Sequence, residues 1–584
     1  MATKLRLQSM HFSFSQILVS RTAGVARSGC ARLVLLLLCL AGRGFSEDAP
    51  QPEEPPALPY PAVEPGTAAA MPEREVTFPV RQIRVRGAKT LTADEIASAI
   101  YPYLGMGRTL ADLEQARASL EKAYRDKGYQ TVGVELPQQN GTRGIIYMDA
   151  VENSVGRLRV RGAEYHLPSK IKENAPSLEE GKVPNFTEVQ KDIIALNAWP
   201  DRRVTPSLVP GVLPGTIDVD LTVEDSLPLH GSIELNNRYN AGTTPLRLNG
   251  SVNYDNLWQL GHSLGLSTQL APERLADAEI YSAYYIARFA RAPNFSLMLM
   301  GTKQNSDVST LGGAAVAGRG ETIGIRGMFS LPGRELKEGG SYFHSFSTGF
   351  DYKKFDEDVE LAGETFVTPI DYLPFTMAYG GGWVRDRSFT EINASLNWHF
   401  RGVGSEPSEF DTKRFDADGS FFFLRGDTSH TQDLPWGFEA FGKIQGQASR
   451  NPLINNEQFA GGGASTVRGY LEAEALGDSG LFLTAEIRTP SLLPSTTREA
   501  KGVEGEKTGN EWRFHAFWDA GQLYLNDPLP DQIDLFRLAS WGLGTRFTLR
   551  EDVEGSLEVA WPLEDQGSTF ANDPFLLFQM KAGF

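Results

Sequence analysis

The residues that could do chemistry fall in a few short stretches. Gly477-Asp478-Ser479-Gly480 spells the surroundings of a nucleophilic serine in one class of protease. That chemistry needs a histidine base and a buried carboxylate set against the hydroxyl. The histidines (His166, His230, His262, His344, His399, His430 and His515) stand in no accompanying signature, and the tetrapeptide reads better as a loop turn. Gly461 to Gly469 is glycine-rich like a phosphate cradle, but no Gly-Lys-Ser/Thr follows and no parallel strand–helix–strand unit surrounds it. There is no His-Glu-x-x-His and no paired metal-ligand spacing. The sequence therefore assigns no catalytic, cofactor-binding or metal-ligating residues, and no cofactor is expected.

Electrostatic chemistry remains. Val467-Arg468-Gly469-Tyr470 sets one arginine among glycines, and Phe517-Trp518-Asp519-Ala520-Gly521 follows downstream. Trp512, Phe514, Ala516 and Trp518 make one apolar face of an alternating run, so Arg513, His515, Phe517 and Asp519 share the opposite, polar face. A guanidinium and a carboxylate can pair bidentately, which fixes orientation as well as charge. The competing reading leaves Arg468 as a solvated loop charge.

Several elements must position that loop. At 584 residues the chain is too long for one core. Its formal net charge of −17 argues against a nucleic-acid partner, which needs clustered Lys and Arg. Residues 1–46 read as a signal peptide: a basic start (Lys4, Arg6, Arg21, Arg27, Arg32), then the short apolar run Leu33 to Leu40, then small residues. Both cysteines, Cys30 and Cys39, lie in that segment, so the exported chain is expected to hold no disulfide. Residues 47–77 are Pro-rich and read as an extended linker. No later segment has 18 consecutive apolar residues, which leaves a soluble chain or a membrane β-barrel.

An internal repeat follows. Ile83-Arg84-Val85-Arg86-Gly87-Ala88 returns after 75 residues as Leu158-Arg159-Val160-Arg161-Gly162-Ala163. The ends match as well, Gly141-Thr142 with Val151-Glu152 against Gly215-Thr216 with Val223-Glu224. Each unit reads as strand, helix, helix, strand, strand. Thr92 with Glu95 opens one helix, and Thr109 opens a second that Gly128 stops. In the second unit Asn185 caps a helix that breaks at Pro200. Two such units, at 78–152 and 153–227, resemble POTRA domains, the periplasmic modules of outer-membrane transport and assembly proteins.

From 228 to 584 period-2 alternation takes over. Ile392, Ala394, Leu396, Trp398 and Phe400 oppose Asn393, Ser395, Asn397 and His399. Leu576, Phe578, Met580, Ala582 and Phe584 share one parity at the chain's end. Aromatic-rich apolar faces favour a transmembrane antiparallel β-barrel over a soluble sandwich, and the length allows about 16 strands.

With these modules, the Val467–Tyr470 and Phe517–Gly521 motifs resemble those of two-partner secretion transporters (TpsB), the haemolysin secretion/activation family within the POTRA-plus-barrel superfamily. The resemblance implies a long loop at about 451–480 folded back into the barrel, with Arg468 paired to Asp519. It implies a non-enzymatic outer-membrane protein of a Gram-negative bacterium, with POTRA domains in the periplasm. Its partners are an unfolded exoprotein with an N-terminal secretion domain, membrane lipid, and the barrel assembly machinery, for which Phe584 is the insertion signal. By the same resemblance the POTRA edges are expected to bind the exoprotein by strand addition, and folding outside the cell to drive export. The family's plug helix has no convincing counterpart in the prolines of 47–75. The alternatives are an insertase or lipoprotein translocator of the same superfamily, a passive porin, and a surface enzyme barrel.

Overall fold

The computed structural model describes residues 76–584, apart from short stretches at 141–142, 198, 200, 290–291, 306–307, 312–313, 318, 337–338, 362–363, 494–495, 499–505, 509, 531 and 551. The signal segment, most of the Pro-rich linker, Gly141, Thr142 and Pro200 lie outside the described residues.

The first unit has strands β1 (Phe78–Val80), β2 (Gln82–Arg86), β3 (Gly105–Arg108), β4 (Val132–Glu135) and β5 (Ile145–Glu152), with helices α1 (Ala93–Ile100) and α2 (Leu110–Asp126). Both helices open on complete capping boxes, Thr92 with Glu95 and Thr109 with Asp112. Leu113, Ala116, Leu120 and Tyr124 form the buried stripe of α2 and pack on Val132, Val134, Ile146, Met148 and Ala150. β2 and β4 flank β5, parallel and antiparallel to it respectively. The second unit repeats this with β6 (Ser154–Arg161), α3 (Pro168–Glu173), α4 (Phe186–Leu196), β7 (Arg202–Pro210) and β8 (Thr216–Asp225), in the sheet order β6-β8-β7.

The repeated Arg-Gly-Ala has a steric cause. Gly87 and Gly162 both hold φ +82°, and a Cβ there would lie 2.5 Å from the Ala150 carbonyl oxygen and 2.6 Å from that of Val223. The turn each glycine makes is then held by the last residue of the unit. Glu152 accepts from the Lys89 and Thr90 amides, and Asp225 accepts from those of Glu164, Tyr165 and His166.

The remaining chain closes a barrel of sixteen antiparallel strands. They are β9 (Leu229–Asn236), β10 (Arg247–Leu257), β11 (His262–Leu270), β12 (Glu279–Phe289), β13 (Ala292–Asn305), β14 (Arg319–Glu335), β15 (Ser341–Leu361), β16 (Phe375–Arg385), β17 (Ser388–His399), β18 (Phe421–Asp433), β19 (Glu439–Ser449), β20 (Ser479–Arg488), β21 (Glu511–Tyr524), β22 (Leu535–Leu549), β23 (Val553–Pro562) and β24 (Phe575–Gly583). A short strand, Glu364–Tyr372, pairs with the outer half of β15 while β16 pairs with the inner half, so the two share one place in the circle.

Alternation decides the faces. Leu576, Met580, Trp512, Phe514 and Trp518 are exposed on the outside, while His515, Phe517, Asp519, Leu577 and Gln579 are buried within. Closure joins β24 to β9, from Gln579 opposite Asn236 to Gly583 opposite Ser232. Phe584 and Gly231 then exchange both backbone hydrogen bonds, and the Phe584 ring lies over Gly231 where any Cβ would collide.

The second unit abuts the mouth where β9 begins. The tight turn after β10 puts Trp258 and Gln259 at positive φ. The Gln259 amide donates to the Tyr165 carbonyl at 3.0 Å and accepts from the Leu167 amide at 2.9 Å. Trp199 covers Gly261, leaving no room for a side chain there.

Candidate functional site, a loop anchored inside the barrel

The connection between β19 and β20 is the sixth on the far side of the barrel. It turns inward instead of extending outward. Two three-residue strands, Phe459–Gly461 and Ala475–Gly477, carry it down, and Val467 and Tyr470 are fully buried with Phe482, Leu523 and Leu538. Gly462, Gly463 and Gly469 take positive φ to make the hairpin tip. At Gly469 a Cβ would lie 3.1 Å from that of Ala560, so the tip rests directly on the wall.

Arg468 ends this descent. Its Nε donates to Asp519 Oδ2 at 2.7 Å and its Nη2 to Oδ1 at 3.0 Å, while its backbone amide reaches Oδ2 at 3.2 Å. Its Nη1 donates to Glu486 Oε2 at 3.1 Å and lies 3.5 Å from Glu558 Oε1. The guanidinium also stacks over the Phe517 ring, 3.4 Å from its centroid. Arg468 is 5 % exposed and Asp519 1 %, so this pair is shielded from the solvent that makes surface pairs weak.

Around the pair the barrel wall supplies a network of opposite charges. Arg546 bridges Glu486 and Glu558, Arg488 donates to Glu486, and His515 Nε2 lies 2.9 Å from Glu558 Oε1. Three guanidinium groups (Arg468, Arg488, Arg546) thus face three carboxylates (Asp519, Glu486, Glu558). The sequence motifs named only Arg468 and Asp519. Glu486, Arg488, Arg546 and Glu558 stand on three other strands, where inward parity marks each as lumenal without saying which of them meet.

The remaining motif residues hold this geometry. The Tyr470 hydroxyl donates toward the carbonyls of Glu564 at 2.8 Å and Ala539 at 3.1 Å, and receives the amides of both residues. Phe517 is the platform under Arg468. Gly521 is required by close approach, since a Cβ there would sit 2.0 Å from the Phe482 ring. Phe584 lies apart from all of these, at the closing seam.

Gly477-Asp478-Ser479-Gly480 is not the loop turn its sequence suggested. Gly477 ends the loop's returning strand and Ser479 begins β20, so the chain is extended there. Asp478 is fully buried between them. It accepts from the amides of Leu453 at 2.9 Å and Asn526 at 2.7 Å and from Gln458 Nε2 at 3.2 Å. It clamps the root of the loop. Glu457 adds a second clamp through Lys353 Nζ at 2.6 Å and the Tyr372 hydroxyl at 2.7 Å, and Glu474 a third through the Ser568 amide.

Comparison with known proteins bears on the assembly just described. Residues 78–153 match the description "POTRA domain, ShlB-type", and residues 388–547 match "Haemolysin secretion/activation protein ShlB/FhaC/HecB". Over these two stretches the chain matches the haemolysin secretion/activation family, and the relatives it resembles are outer-membrane transporters. It is similar to outer membrane transporter CdiB of Dickeya dadantii, 23 % identical over 513 residues, 83 % of each chain. It is similar to heme/hemopexin transporter protein HuxB of Haemophilus influenzae, 22 % identical over 426 residues, 70 % of this chain and 72 % of that one. The solved structure of CdiB from Escherichia coli shares the fold at a TM-score of 0.56 and 20 % identity, covering 89 % of this chain and 93 % of that one. The near mouth of the transporter thus faces the periplasm, where its POTRA domain lies, and the sixth loop is rooted on the extracellular side.

Proposed function

We propose that the transporter secretes an unfolded exoprotein bearing an N-terminal secretion domain. On this reading residues 78–152 and 153–227 are two POTRA domains that capture the partner in the periplasm by strand addition. Residues 228–584 form the pore, and the sixth loop is its gate. The buried Arg468 carries the reading. A passive channel has no use for a loop held in its lumen by a six-charge network, whereas a gate needs a plug fixed firmly when idle and released as a unit. Free energy for export comes from folding outside the cell, since no nucleotide is available there.

The test uses cells co-expressing the transporter with a candidate exoprotein that bears an N-terminal secretion domain. Arg468→Ala and Asp519→Ala are each expected to abolish secretion while the barrel still inserts and migrates as a folded species. Undiminished secretion by both variants would remove the loop from the mechanism. An insertase would instead show loss of other barrels from the membrane when the gene is deleted.

A further inference from the structure

Where the second periplasmic unit meets the barrel, three side chains converge that the transport reading does not use. Asp201 stands just before β7, His230 is the second residue of β9, and Asp255 lies on β10. Their ligand atoms all lie within 4.8 Å of one another. His230 Nε2 is 2.9 Å from Asp201 Oδ1, and Asp255 accepts from Asn253 Nδ2 at 2.6 Å. Asn253 is the register partner of His230, and Asp255 follows two residues on, so strand parity brings all three to one face at the pore mouth.

We propose that Asp201, His230 and Asp255 form a divalent-metal site joining this unit to the first barrel strands. Backbone bonds pre-position two of the ligands on one connecting segment. The Ser226 amide donates to the Asp201 carbonyl, and the Asp255 amide to that of Pro228, both at 2.9 Å. His230 is the one group of basic character paired with these two carboxylates among the described residues. Among the described residues no lysine or arginine pairs with either carboxylate. The neighbouring Arg202 is already engaged, stacked on Trp199 and donating to the Leu196 carbonyl. A proton on His230 would balance Asp201 alone, whereas a dication balances both carboxylates and takes the imidazole in its neutral form. One nitrogen with two carboxylate ligands suits Zn²⁺ or a similar borderline metal, with bonds of about 2.0–2.2 Å, so binding draws Asp255 inward. Partial exposure of His230 leaves a side open to water as the fourth ligand.

The experiment takes the full-length protein in detergent micelles, stripped with chelator and titrated with Zn²⁺ by calorimetry. Saturable binding of one equivalent is expected. His230→Ala and Asp255→Asn should each weaken it by more than about tenfold, while His430→Ala, on β18, leaves it unchanged. Co²⁺ in place of Zn²⁺ should give a visible absorption band that His230→Ala removes. Heat-modifiable migration reports whether each barrel is folded. If His230→Ala fails that check, the nearly isosteric Asp255→Asn decides. Absence of saturable binding, or equal binding by folded Asp255→Asn, overturns the proposal. Neither result bears on secretion, which the Arg468 variants test separately.

Discussion

At the scale of single residues, what distinguishes Arg468 is the number of directions in which it is held. A lysine keeps the charge but offers a single point donor, so it cannot grip Asp519 with two nitrogens while reaching Glu486. Arg468→Lys is therefore expected to leave secretion well below wild type, though above Arg468→Ala. Truncation to alanine leaves buried carboxylates one charge in excess, a cost of about 3–5 kcal/mol for a desolvated pair and less in a wet lumen. A second residue-scale expectation concerns pH. Burial pushes the His166 pKa down; its hydrogen bond to Asp225 opposes this and the Arg202 charge adds to it. The unfolded chain thus takes up the proton first. Stability due to neutral His166 is complete above about pH 6.5 and is lost as the pH falls toward the lowered folded value. Hydrogen exchange at residues 164–167, corrected for intrinsic rate, should be faster at pH 5 than at pH 7.5; an unchanged ratio would dismiss the effect. Parity alone told which way Asp519 points. It could not single out Glu486 and Glu558, because nothing in one strand's sequence states which inward residues its neighbours bring opposite.

At the scale of elements, legibility followed the strength of local rules. Thr92 with Glu95, and Thr109, are local signals, and the helices open where those signals put them. The pairing of β1 with β3 was not legible, since three or four residues carry no measurable period. Gly-Asp-Ser-Gly misled for a related reason. Its glycines serve close packing on Leu523, Tyr524 and Phe459 rather than a reversal of direction. The positive-φ glycine of the repeat gives a sharper expectation. Gly162→Ala places a methyl against the Val223 carbonyl and costs at least about 1–2 kcal/mol from backbone strain alone. The expected result is faster exchange across residues 157–166 of the intact protein, with the barrel unaltered. Asp478→Asn should loosen the loop at its root. Cysteines placed to report loop position would then cross-link to the lumen wall less efficiently than in the parent, while equal efficiency would assign the clamping to Glu457 and Glu474.

Across the whole molecule, the closing seam of the barrel runs up to Phe584. Phe584 completes the ladder with Gly231, covers that glycine with its ring, and ends the outward-facing row of Leu576 and Met580. Deleting it removes the final pair of the closing seam as well as the proposed insertion signal. A lower amount of folded barrel in the outer membrane is expected, measured by the heat-modifiable band; a normal amount would count against the signal. Strand number and closure were readable only approximately from length, because the two-part strand formed by Glu364–Tyr372 and β16 alternates like two elements while filling one place.

The loop's fastenings also differ along its length. Arg468 is gripped at the tip, deep in the lumen, whereas Asp478 and Glu457 hold the ends near the outer rim. A chain pushing from the periplasm loads the ionic grip first and leaves the rim under compression. A pull from outside loads the rim first, in tension. If the loop gates the pore as proposed, it is a mechanically polar stopper, easier to dislodge from one side than from the other. Reconstituted pores should accordingly open at different voltages in the two polarities.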